Sequence, residues 1–366
     1  MVSGLENVLA FESKIAYIDG NKPELSIRGY DIKDIAHRLT FEDMAFLLWN
    51  GRVPSAVERT AFAAELTDLR RVPDQVLDLL RKTPASAHPM AMLRTAVSLL
   101  GALDADADDL SPDGLVRKAK SLMAKFPTIV AAQVRIQAGK TPMEPAPWLG
   151  HAANFYHMVS GRSPDEVTRK TLDTALVLYA EHETNASTFA ARVVAGTQSD
   201  FYSAVVAGIG AIKGPLHGGA IDEAMRMFME VGSPEKAAAY VDAALAAKRK
   251  LPGFGHRVYK AGDPRAAELR VMAQALADAT GERKWFDVAV ATEKRMGETK
   301  NIIPNVDYFA APVLYQLGFP MDLMTNVVAT SRIAGWSAHI LEQYANNRLV
   351  RPRALYTGPH GLRLEQ

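Results

Sequence analysis

The sequence predicts a mainly α-helical fold with a small β-hairpin near its N-terminus. Apolar residues recur at helical spacing along most of the 366 residues, and one such stripe comprises Leu172, Ala175, Leu176 and Tyr179. Proline and glycine interrupt the apolar pattern often enough that helices of ordinary length are expected. No segment repeats at a fixed period, which argues against a solenoid of stacked repeats.

The hairpin is predicted from residues 7–30, where short stretches alternate between apolar and polar residues. Residues 13–18 are one such stretch, and Asp19-Gly20-Asn21 follows them as a turn signal. Almost all of the remaining chain is typical of helix. Breaks in the helical pattern are predicted at Pro127 and at the prolines between residues 142 and 147.

Three further segments have clear helical patterns. Residues 201–212 are apolar on nearly all sides, which predicts a helix buried in the core. Two amphipathic helices are predicted from apolar stripes farther along the chain, at Ile221, Ala224, Met225 and Phe228 and at Val241, Ala244 and Leu245.

Composition excludes several classes of protein function. The chain carries 42 Lys and Arg against 41 Asp and Glu, so its bulk charge does not indicate a nucleic-acid binder. It has no cysteine, which excludes disulfides, thiolate catalysis and cysteine-ligated metals. Residues 1–7 lack the pattern of a signal peptide, and no apolar stretch is long enough to span a membrane. We therefore expect a soluble, cytoplasmic protein with no nucleic-acid or membrane partner.

His217 is surrounded by glycines in Gly-Pro-Leu-His-Gly-Gly-Ala, residues 214–220. Glycine allows the backbone and a ligand to approach the ring closely. The loop precedes an amphipathic helix whose positive end disfavours an imidazolium, so we expect a neutral ring that donates one N–H. Such a group can polarise a carbonyl. The alternative is a tight turn in which the histidine only caps the helix.

His256 lies in Pro-Gly-Phe-Gly-His-Arg-Val-Tyr-Lys, residues 252–260. The amides of Gly253 and Gly255 are expected to be free for a ligand. Basic residues surround this loop, namely Lys248, Arg249, Lys250, Arg257, Lys260 and Arg265. The segment predicts a loop that binds phosphate and carboxylate groups beside an acid–base histidine, and the alternative is a solvated basic turn.

Asp307 lies in Pro-Asn-Val-Asp-Tyr-Phe, residues 304–309. Its apolar neighbours can raise the pKa of the carboxyl group and make it a usable base. Taken alone, however, it is more simply explained as the N-cap of the following helix. Its candidacy as a base therefore depends on its lying near the two histidines.

Two other positions carry candidate chemistry. His182 is flanked by Glu181 and Glu183, but adjacent residues on a helix point in different directions, so we do not expect a metal site there. Arg332 is a cation within an otherwise apolar helix and needs an anionic partner. That partner is either a bound carboxylate or a structural ion pair, while Arg351 alone is typical of a solvated tail.

Together these motifs resemble the citrate synthase family. Besides the two histidine loops and Pro-Asn-Val-Asp, the chain contains Glu-His-Glu-Thr-Asn-Ala-Ser-Thr-Phe at 181–189, Ser-Arg-Ile-Ala-Gly-Trp at 331–336 and Arg-Pro-Arg-Ala-Leu-Tyr-Thr-Gly at 351–358. The six segments follow the order and spacing of that family. The resemblance covers essentially the whole chain, from Gly4-Leu5-Glu6 onward.

The resemblance implies condensation of acetyl-CoA with oxaloacetate and hydrolysis of citryl-CoA to citrate and CoA, a step of the tricarboxylic acid cycle. Asp307 would take a proton from the acetyl methyl group. His217 would stabilise the enol or enolate at the thioester oxygen, and His256 would donate to the keto oxygen of oxaloacetate. This division of roles suits the chemistry, because a thioester α-proton is a weak acid and its removal requires a preorganised donor opposite the base.

The resemblance also implies the binding residues. His182, Arg265 and Arg332 would hold the carboxylates of oxaloacetate, and Arg351 would do so in the partner's site of a homodimer. The candidates for contact with CoA are Lys250, Leu251, Gly253, Gly255, Lys300 and Asn305. No metal or other cofactor is expected, since acetyl-CoA is itself a substrate.

The implied architecture has two domains. Residues 1–219 and 315–366 would form a large helical domain, and residues 220–314 a small mobile domain that closes over the site and excludes water. The shared helices begin soon after residue 30, which leaves no room for the extra N-terminal domain of the hexameric, NADH-inhibited branch, so we expect the short dimeric type. The alternatives are a 2-methylcitrate synthase that uses propionyl-CoA, a dual-specificity enzyme, or a CoA- or dicarboxylate-binding protein without catalysis.

Overall fold

The computed structural model of the chain describes residues 3–5, 8–84 and 86–363. Within these ranges the predicted mainly α-helical fold is confirmed, and the strands of the one sheet lie close to the N-terminus. The predictions that concern Met1, Val2, Glu6 and Asn7 lie outside the described residues. None of the described helices has the length and apolar character needed to cross a membrane.

The described part of the chain forms the following α-helices, in chain order: α1 (Ile32–Ile35), α2 (Phe41–Asn50), α3 (Ala56–Asp68), α4 (Asp74–Lys82), α5 (Pro89–Leu103), α6 (Pro112–Gln137), α7 (His151–Ser160), α8 (Glu166–Tyr179), α9 (Ala186–Ala195), α10 (Phe201–Ile212), α11 (Ala220–Val231), α12 (Ala237–Ala246), α13 (Pro264–Thr280), α14 (Lys284–Lys300), α15 (Val306–Gln316) and α16 (Met324–Ala345). Single 3-10 turns occur at Ser3–Leu5, Pro234–Lys236 and Met321–Leu323.

The predicted hairpin is present and is extended by one short strand. Strands β1 (Ala16–Asp19) and β2 (Glu24–Ile27) pair antiparallel, and β3 (Tyr30–Asp31) pairs antiparallel with β2. The sequence did not predict β3, because a strand of two residues is too short to show alternation. The tight connection to β3 requires Arg28 and Gly29 to adopt left-handed backbone angles, with φ of 50° and 88°.

The turn between β1 and β2 packs against the loop that carries His256. The backbone N–H of Lys260 donates to the carbonyl oxygen of Gly20 at 2.8 Å. A Cβ at position 20 would lie 2.5 Å from the carbonyl oxygen of Val258. Only glycine allows this close approach, so the N-terminal sheet helps to place the His256 loop.

The helix that follows His182 begins with a strong N-cap. The side chain of Asn185 accepts hydrogen bonds from the backbone N–H groups of Ser187 and Thr188, which satisfies two donors at the start of α9. A cap of this kind stabilises a helix by about 1 kcal/mol. The turn before α9 is therefore fixed locally, close to His182.

Pro127 does not break the helical pattern, contrary to the prediction, because α6 runs through it from Pro112 to Gln137. A proline inside a helix loses one backbone hydrogen bond and costs roughly 3 kcal/mol. The neighbouring side chains Phe126, Ile129 and Val130 are fully buried. Burial of this apolar surface offsets the local cost, and a sequence pattern cannot register it.

The core lies around α16, whose residues from Met324 to Ile340 are all buried. This helix packs against α2, α6, α8 and α9, and Trp336 is its largest fully buried side chain. The predicted buried helix is α10, and the predicted stripes lie on α8, α11 and α12 with their apolar residues turned inward, except that Leu245 is only partly buried.

Candidate active site

Six residues predicted to act on substrate lie in one cluster, although each comes from a different element. The rings of His182 and His256 meet edge to face, with their centroids 5.2 Å apart. Burial lowers the pKa of all three histidines, and nearby arginines add to the effect: Arg265 of α13 at His182 and His256, and Arg332 of α16 at His217. The members of the cluster are His182, His217, His256, Arg265, Asp307 and Arg332.

His217 is held in one tautomer by the start of α9. The backbone N–H of Ser187 donates to Nε2 of His217 at 3.3 Å, and the Ser187 hydroxyl lies 2.8 Å from the same atom. A backbone amide can only donate, so Nε2 is an acceptor and the ring proton is on Nδ1. Trp336 donates from Nε1 to the Ser187 hydroxyl at 3.1 Å and fixes its position.

His256 is held in the opposite tautomer. The backbone N–H groups of Val258 and Tyr259 both donate to its Nδ1, each at 3.0 Å. The ring proton is therefore on Nε2. The two glycine-flanked histidines thus present N–H groups from different ring positions, and each is fixed by backbone amides rather than by flexible side chains.

All three histidines are neutral near pH 7. Burial, with a smaller effect from Arg332, lowers the pKa of His217 to about 4. Burial and Arg265 lower the pKa of His256 to about 4, and burial followed by Arg265 holds the pKa of His182 well below its ordinary value. This agrees with the predicted neutral ring of His217, but the main cause is burial of the ring rather than the positive N-terminal end of α11.

Asp307 is not the N-cap of α15, contrary to the simpler interpretation of its sequence. The cap is Asn305, whose side chain accepts from the Asp307 backbone N–H at 3.0 Å. The Asp307 carboxylate is available for other contacts, and its Oδ1 accepts from the hydroxyl of Tyr179 at 2.7 Å. Burial raises the pKa of this carboxyl group, while the bond from Tyr179 and the charge of Arg265 oppose the rise.

Arg265 and Asp307 are connected through Asp263. Both oxygens of the Asp263 side chain accept from the guanidinium of Arg265, at 2.9 and 2.8 Å. One of them also accepts from the backbone N–H of Val306 at 3.0 Å. Burial lowers the pKa of the Arg265 guanidinium, but the ion pair with Asp263 has the larger effect and raises that pKa above its ordinary value. Asp263 therefore fixes a cation and the start of the helix that carries Asp307.

Arg332 carries a guanidinium with unused hydrogen-bonding capacity. Its Nε donates to the backbone carbonyl of Tyr179 at 2.7 Å, and its two Nη groups make no hydrogen bond with the described residues. Burial lowers the pKa of Arg332 to about 10, although Glu181 opposes the change. The group is still charged at pH 7, and its free edge suits a bound carboxylate.

The carboxylate of Glu181, next to His182, belongs to a buried ion network. Glu181 lies 3.0 Å from Nε2 of His339, whose Nδ1 lies 2.7 Å from Arg192. Arg192 also pairs with Glu342 at 2.8 Å and lies over the ring of Phe11. No group of three or more potential metal ligands occurs among the described residues.

The loop before His256 is bonded to the segment before Asp307. The amide of Gly255 donates to the carbonyl of Ile303 at 3.2 Å, so it is not free for a ligand as the sequence suggested. Asn305 donates from its backbone to Gly253 at 2.8 Å and from its side chain to Gly255 at 2.9 Å. Gly253 has φ of 79°, and a Cβ there would clash with Tyr308. These contacts make one rigid unit of the two segments.

The remaining predicted binding residues are peripheral. Leu251 is buried, while Lys250 and Lys300 are exposed. Arg351 is exposed in the tail that follows α16, and within the described chain it forms no hydrogen bond or ion pair. The chain thus brings six candidates into the cluster and leaves these charged residues outside it.

Sequence reasoning missed several residues that shape the site. Tyr179 was assigned only to an apolar stripe, yet its hydroxyl contacts Asp307. Tyr259 lies 3.3 Å from Nε2 of His182, and Ser187 and Asp263 hold His217 and Arg265. The hydroxyl at the end of the α8 stripe was the one signal that could have indicated Tyr179, since a buried phenol needs a partner.

The chain is similar to known proteins along its whole length. A family model described as the citrate synthase C-terminal domain matches residues 4–353. Citrate synthase 2 of Bacillus subtilis (strain 168) is 46% identical over 357 residues, which cover 97% of this chain and 95% of that protein. A 2-methylcitrate synthase of Mycobacterium tuberculosis is 41% identical and covers 97% of this chain and 90% of its own length.

Solved structures give the same picture. The citrate synthase of Pyrobaculum aerophilum matches with a TM-score of 0.94 at 40% identity, covering 100% of this chain and 94% of that one. The citrate synthase of Thermoplasma acidophilum, solved as a ternary complex with carboxymethyl coenzyme A and oxaloacetate, matches with a TM-score of 0.92 at 32% identity. The match covers 99% of this chain and 97% of that one.

Proposed function

This chain belongs to the citrate synthase family, and we propose that it condenses acetyl-CoA with oxaloacetate and hydrolyses the resulting citryl-CoA to citrate and CoA. It is an acyltransferase of the citrate (Si)-synthase type. The observation that carries the choice of catalytic residues is the pairing of two neutral histidines, His217 and His256, with the carboxylate of Asp307, one oxygen of which makes no hydrogen bond with the described residues.

The first step is transfer of a proton from the acetyl methyl group to Asp307. The carboxylate accepts it at Oδ2, because Oδ1 is bonded to Tyr179 at 2.7 Å. Charge that develops on the thioester oxygen is stabilised by the Nδ1–H of His217. With a pKa lowered to about 4, this ring donates a hydrogen bond near pH 7 while it stays neutral.

The second step forms the carbon–carbon bond. The enol carbon attacks the keto carbon of oxaloacetate, and the Nε2–H of His256 donates to the keto oxygen as that oxygen gains charge. Water then cleaves the thioester of citryl-CoA and releases citrate and CoA. Hydrolysis of the thioester draws the reaction forward.

Oxaloacetate carries two carboxylates, and we assign them to His182, Arg265 and Arg332. The unused Nη groups of Arg332 support this assignment, as does the rigid ion pair that orients Arg265. In a homodimer, Arg351 from a second copy would supply a further cation. The exposure of Arg351 on its own chain is consistent with a role in another subunit.

The division into domains stays a proposal with boundaries at residues 1–219 and 315–366 for the large domain and 220–314 for the small one. Its support is that the candidate residues are shared between the two parts. His182, His217 and Arg332 lie in the first, and His256, Arg265 and Asp307 in the second. Closure of the small part would complete the site and exclude water from the thioester.

CoA would lie along the loop of residues 250–255 and the segment before Asp307. Lys250 and Lys300 are exposed cations on this side and suit the phosphate groups. Leu251 and Gly253 would contribute backbone groups, and Gly255, whose amide is bonded to Ile303, would line the site without donating. Asn305 holds this backbone in place. We also propose a cytoplasmic location and a homodimer. Native mass measurement tests the dimer, because a stable hexamer that is sensitive to NADH would contradict it.

Release of free CoA thiol tests the reaction, and the absence of protein cysteine removes background in a thiol-reagent assay. Asp307→Asn should abolish turnover, with a loss of at least about 100-fold, while oxaloacetate still raises the melting temperature. Normal turnover by this variant overturns the assignment of the base. A wild-type protein that binds CoA or oxaloacetate without releasing thiol supports the non-catalytic alternative.

The second candidate function is 2-methylcitrate synthesis from propionyl-CoA, which the relative of that name in Mycobacterium tuberculosis favours. The two donors differ by one methylene, worth about 1–3 kcal/mol in an acyl pocket. Steady-state kcat/KM for acetyl-CoA and propionyl-CoA with oxaloacetate decides between the functions. Similar values for both donors indicate a dual-specificity enzyme.

A further inference from the structure

Tyr179, at the end of α8, makes a direct hydrogen bond with the Asp307 carboxylate. Building on the proposed function, we propose that Tyr179 is a positioning residue that orients the Asp307 carboxylate for proton abstraction and links it to the arginine that holds oxaloacetate.

The hydrogen bond fixes which carboxylate oxygen is available. The Tyr179 hydroxyl donates to Oδ1 of Asp307 at 2.7 Å, and Oδ2 makes no hydrogen bond with the described residues. A carboxylate held at one oxygen cannot rotate freely about its bond to Cβ. Tyr179 therefore presents Oδ2 as the atom that takes the proton.

The backbone of Tyr179 is held as firmly as its hydroxyl. Its carbonyl accepts from Nε of Arg332 at 2.7 Å, and the Ser331 hydroxyl donates to the Leu176 carbonyl one turn earlier. The end of α8 is thereby bound to α16. A displacement of Arg332 would move Tyr179 and, through it, Asp307. One residue thus connects the acceptor-binding cation with the base.

The charge states suit this role. Burial and the nearby Asp307 carboxylate hold the pKa of Tyr179 well above its ordinary value, so the hydroxyl remains a donor across the working pH range. The charged and titratable groups facing Asp307 are Tyr179 from α8, Arg265 and Asp263 at the start of α13, and Arg332 from α16. Among them, Tyr179 makes the direct hydrogen bond.

The direction of the pH effect follows from the bond. The ionised carboxylate is the active base, so kcat falls on the acid side as Asp307 becomes protonated. Donation from Tyr179 favours the ionised form. Without the hydroxyl the pKa of Asp307 rises, and the acid limb of the kcat profile moves to higher pH.

Tyr179→Phe keeps the ring and removes the donor. We expect kcat to fall on the order of 10- to 100-fold, as for a lost hydrogen bond to a charged group, and the acid limb to move to higher pH. The kinetic isotope effect with trideuterated acetyl-CoA should increase, because proton abstraction becomes more rate-limiting. A residue that only supports packing would change none of these except the rate.

Tyr202→Phe is the matched control. The Tyr202 hydroxyl also donates to an aspartate at 2.7 Å, and this tyrosine is equally buried, but its partner is Asp104, the residue that follows α5, which does not belong to the cluster around Asp307. Its removal should lower the melting temperature to a similar extent and leave the pH profile and isotope effect unchanged.

A second probe changes the packing around position 179 less than a loss of the hydroxyl does. With 3-fluorotyrosine at position 179, the shape is nearly conserved and the phenol is a stronger donor, so the acid limb should move to lower pH, opposite to Tyr179→Phe. An unshifted limb in both proteins overturns the positioning role, while the proposed function stands if the wild type turns over and Asp307→Asn does not. Absence of turnover in the wild type would instead reject the proposed function.

Discussion

The carboxyl group of Asp222 lies 3.1 Å from the hydroxyl of Thr325, next to the loop that carries His217. The same hydroxyl lies 2.9 Å from the carbonyl oxygen of Gly218. Thr325 has one hydroxyl proton and faces two acceptors, so a protonated Asp222 satisfies the arrangement by donating to Thr325, which donates to Gly218. Burial raises the pKa of Asp222 to about 7, so the carboxyl group of the folded protein carries a proton below that pH.

Asp222→Asn should change how stability depends on pH. A carboxyl group whose folded pKa is raised to about 7 from 3.8 contributes its full stability below the unfolded value and loses it as pH rises through the folded value. The asparagine variant lacks this loss, so its melting temperature should exceed that of the wild type increasingly between about pH 4 and pH 7. Asp106→Asn, at an exposed carboxylate, is the control and should show no such trend.

Arg332→Lys should raise KM for oxaloacetate by about tenfold or more. Lysine keeps the charge but loses the planar fork and the Nε donor to Tyr179. Steady-state kinetics with saturating acetyl-CoA measure the effect. Arg94→Lys, at an exposed position of α5, should leave KM unchanged, and an unchanged KM in Arg332→Lys would argue against its contact with the substrate.

Gly335→Ala should destabilise the fold by roughly 1–3 kcal/mol. A Cβ at this position of α16 would overlap the carbonyl oxygen of Ala180 and the buried carboxylate of Glu181. Denaturant unfolding provides the measurement. Gly297→Ala is the matched helical control, because it has nothing within 4 Å, and it should stabilise the protein by about 0.5–1 kcal/mol. Equal effects at both sites would contradict this close packing.

Gly20→Ala should lower kcat by several-fold with little change in melting temperature. The new methyl group would lie 2.5 Å from the Val258 carbonyl, so the loop that carries His256 must shift, and small displacements of a catalytic group reduce rate strongly. Asn21→Ala, at the neighbouring exposed position of the turn, should retain the wild-type kcat. A normal kcat in Gly20→Ala would mean that the hairpin does not position the loop.

The sequence predicted the features that depend on local pattern. Apolar periodicity located α8, α10, α11 and α12, since each helix buries one face or all of its surface. The two histidine loops were predicted as well, because glycine on either side of a histidine is a signal that does not require knowledge of distant partners. The residues of the His217 and His256 loops are therefore predictable candidates from local sequence alone.

Features that depend on distant contacts were not predictable. The sequence places Tyr179 in a core stripe. Its contact with Asp307 depends on the packing of α15 beside α8, which the local pattern does not contain. The amide of Gly255 was predicted to be free for a ligand, but it donates to the carbonyl of Ile303, a residue distant in sequence. The helix continues through Pro127 because burial of its neighbours Phe126, Ile129 and Val130 offsets the missing bond. For Tyr179 and Gly255 the deciding partner lies far away in the sequence.

The ion network behind His182 has a practical consequence for anyone trimming or tagging this protein. Glu342 of that network accepts from the backbone N–H of Lys14 at 2.9 Å, and Arg192 lies 4.6 Å from the ring centre of Phe11. Residues 11–14 are thus part of the scaffold beside His182, which we propose to bind oxaloacetate. An N-terminal deletion that includes them would expose the buried guanidinium of Arg192 to water. We expect the effect to be measured as weaker oxaloacetate binding, although the deleted residues lie far from that site in the sequence.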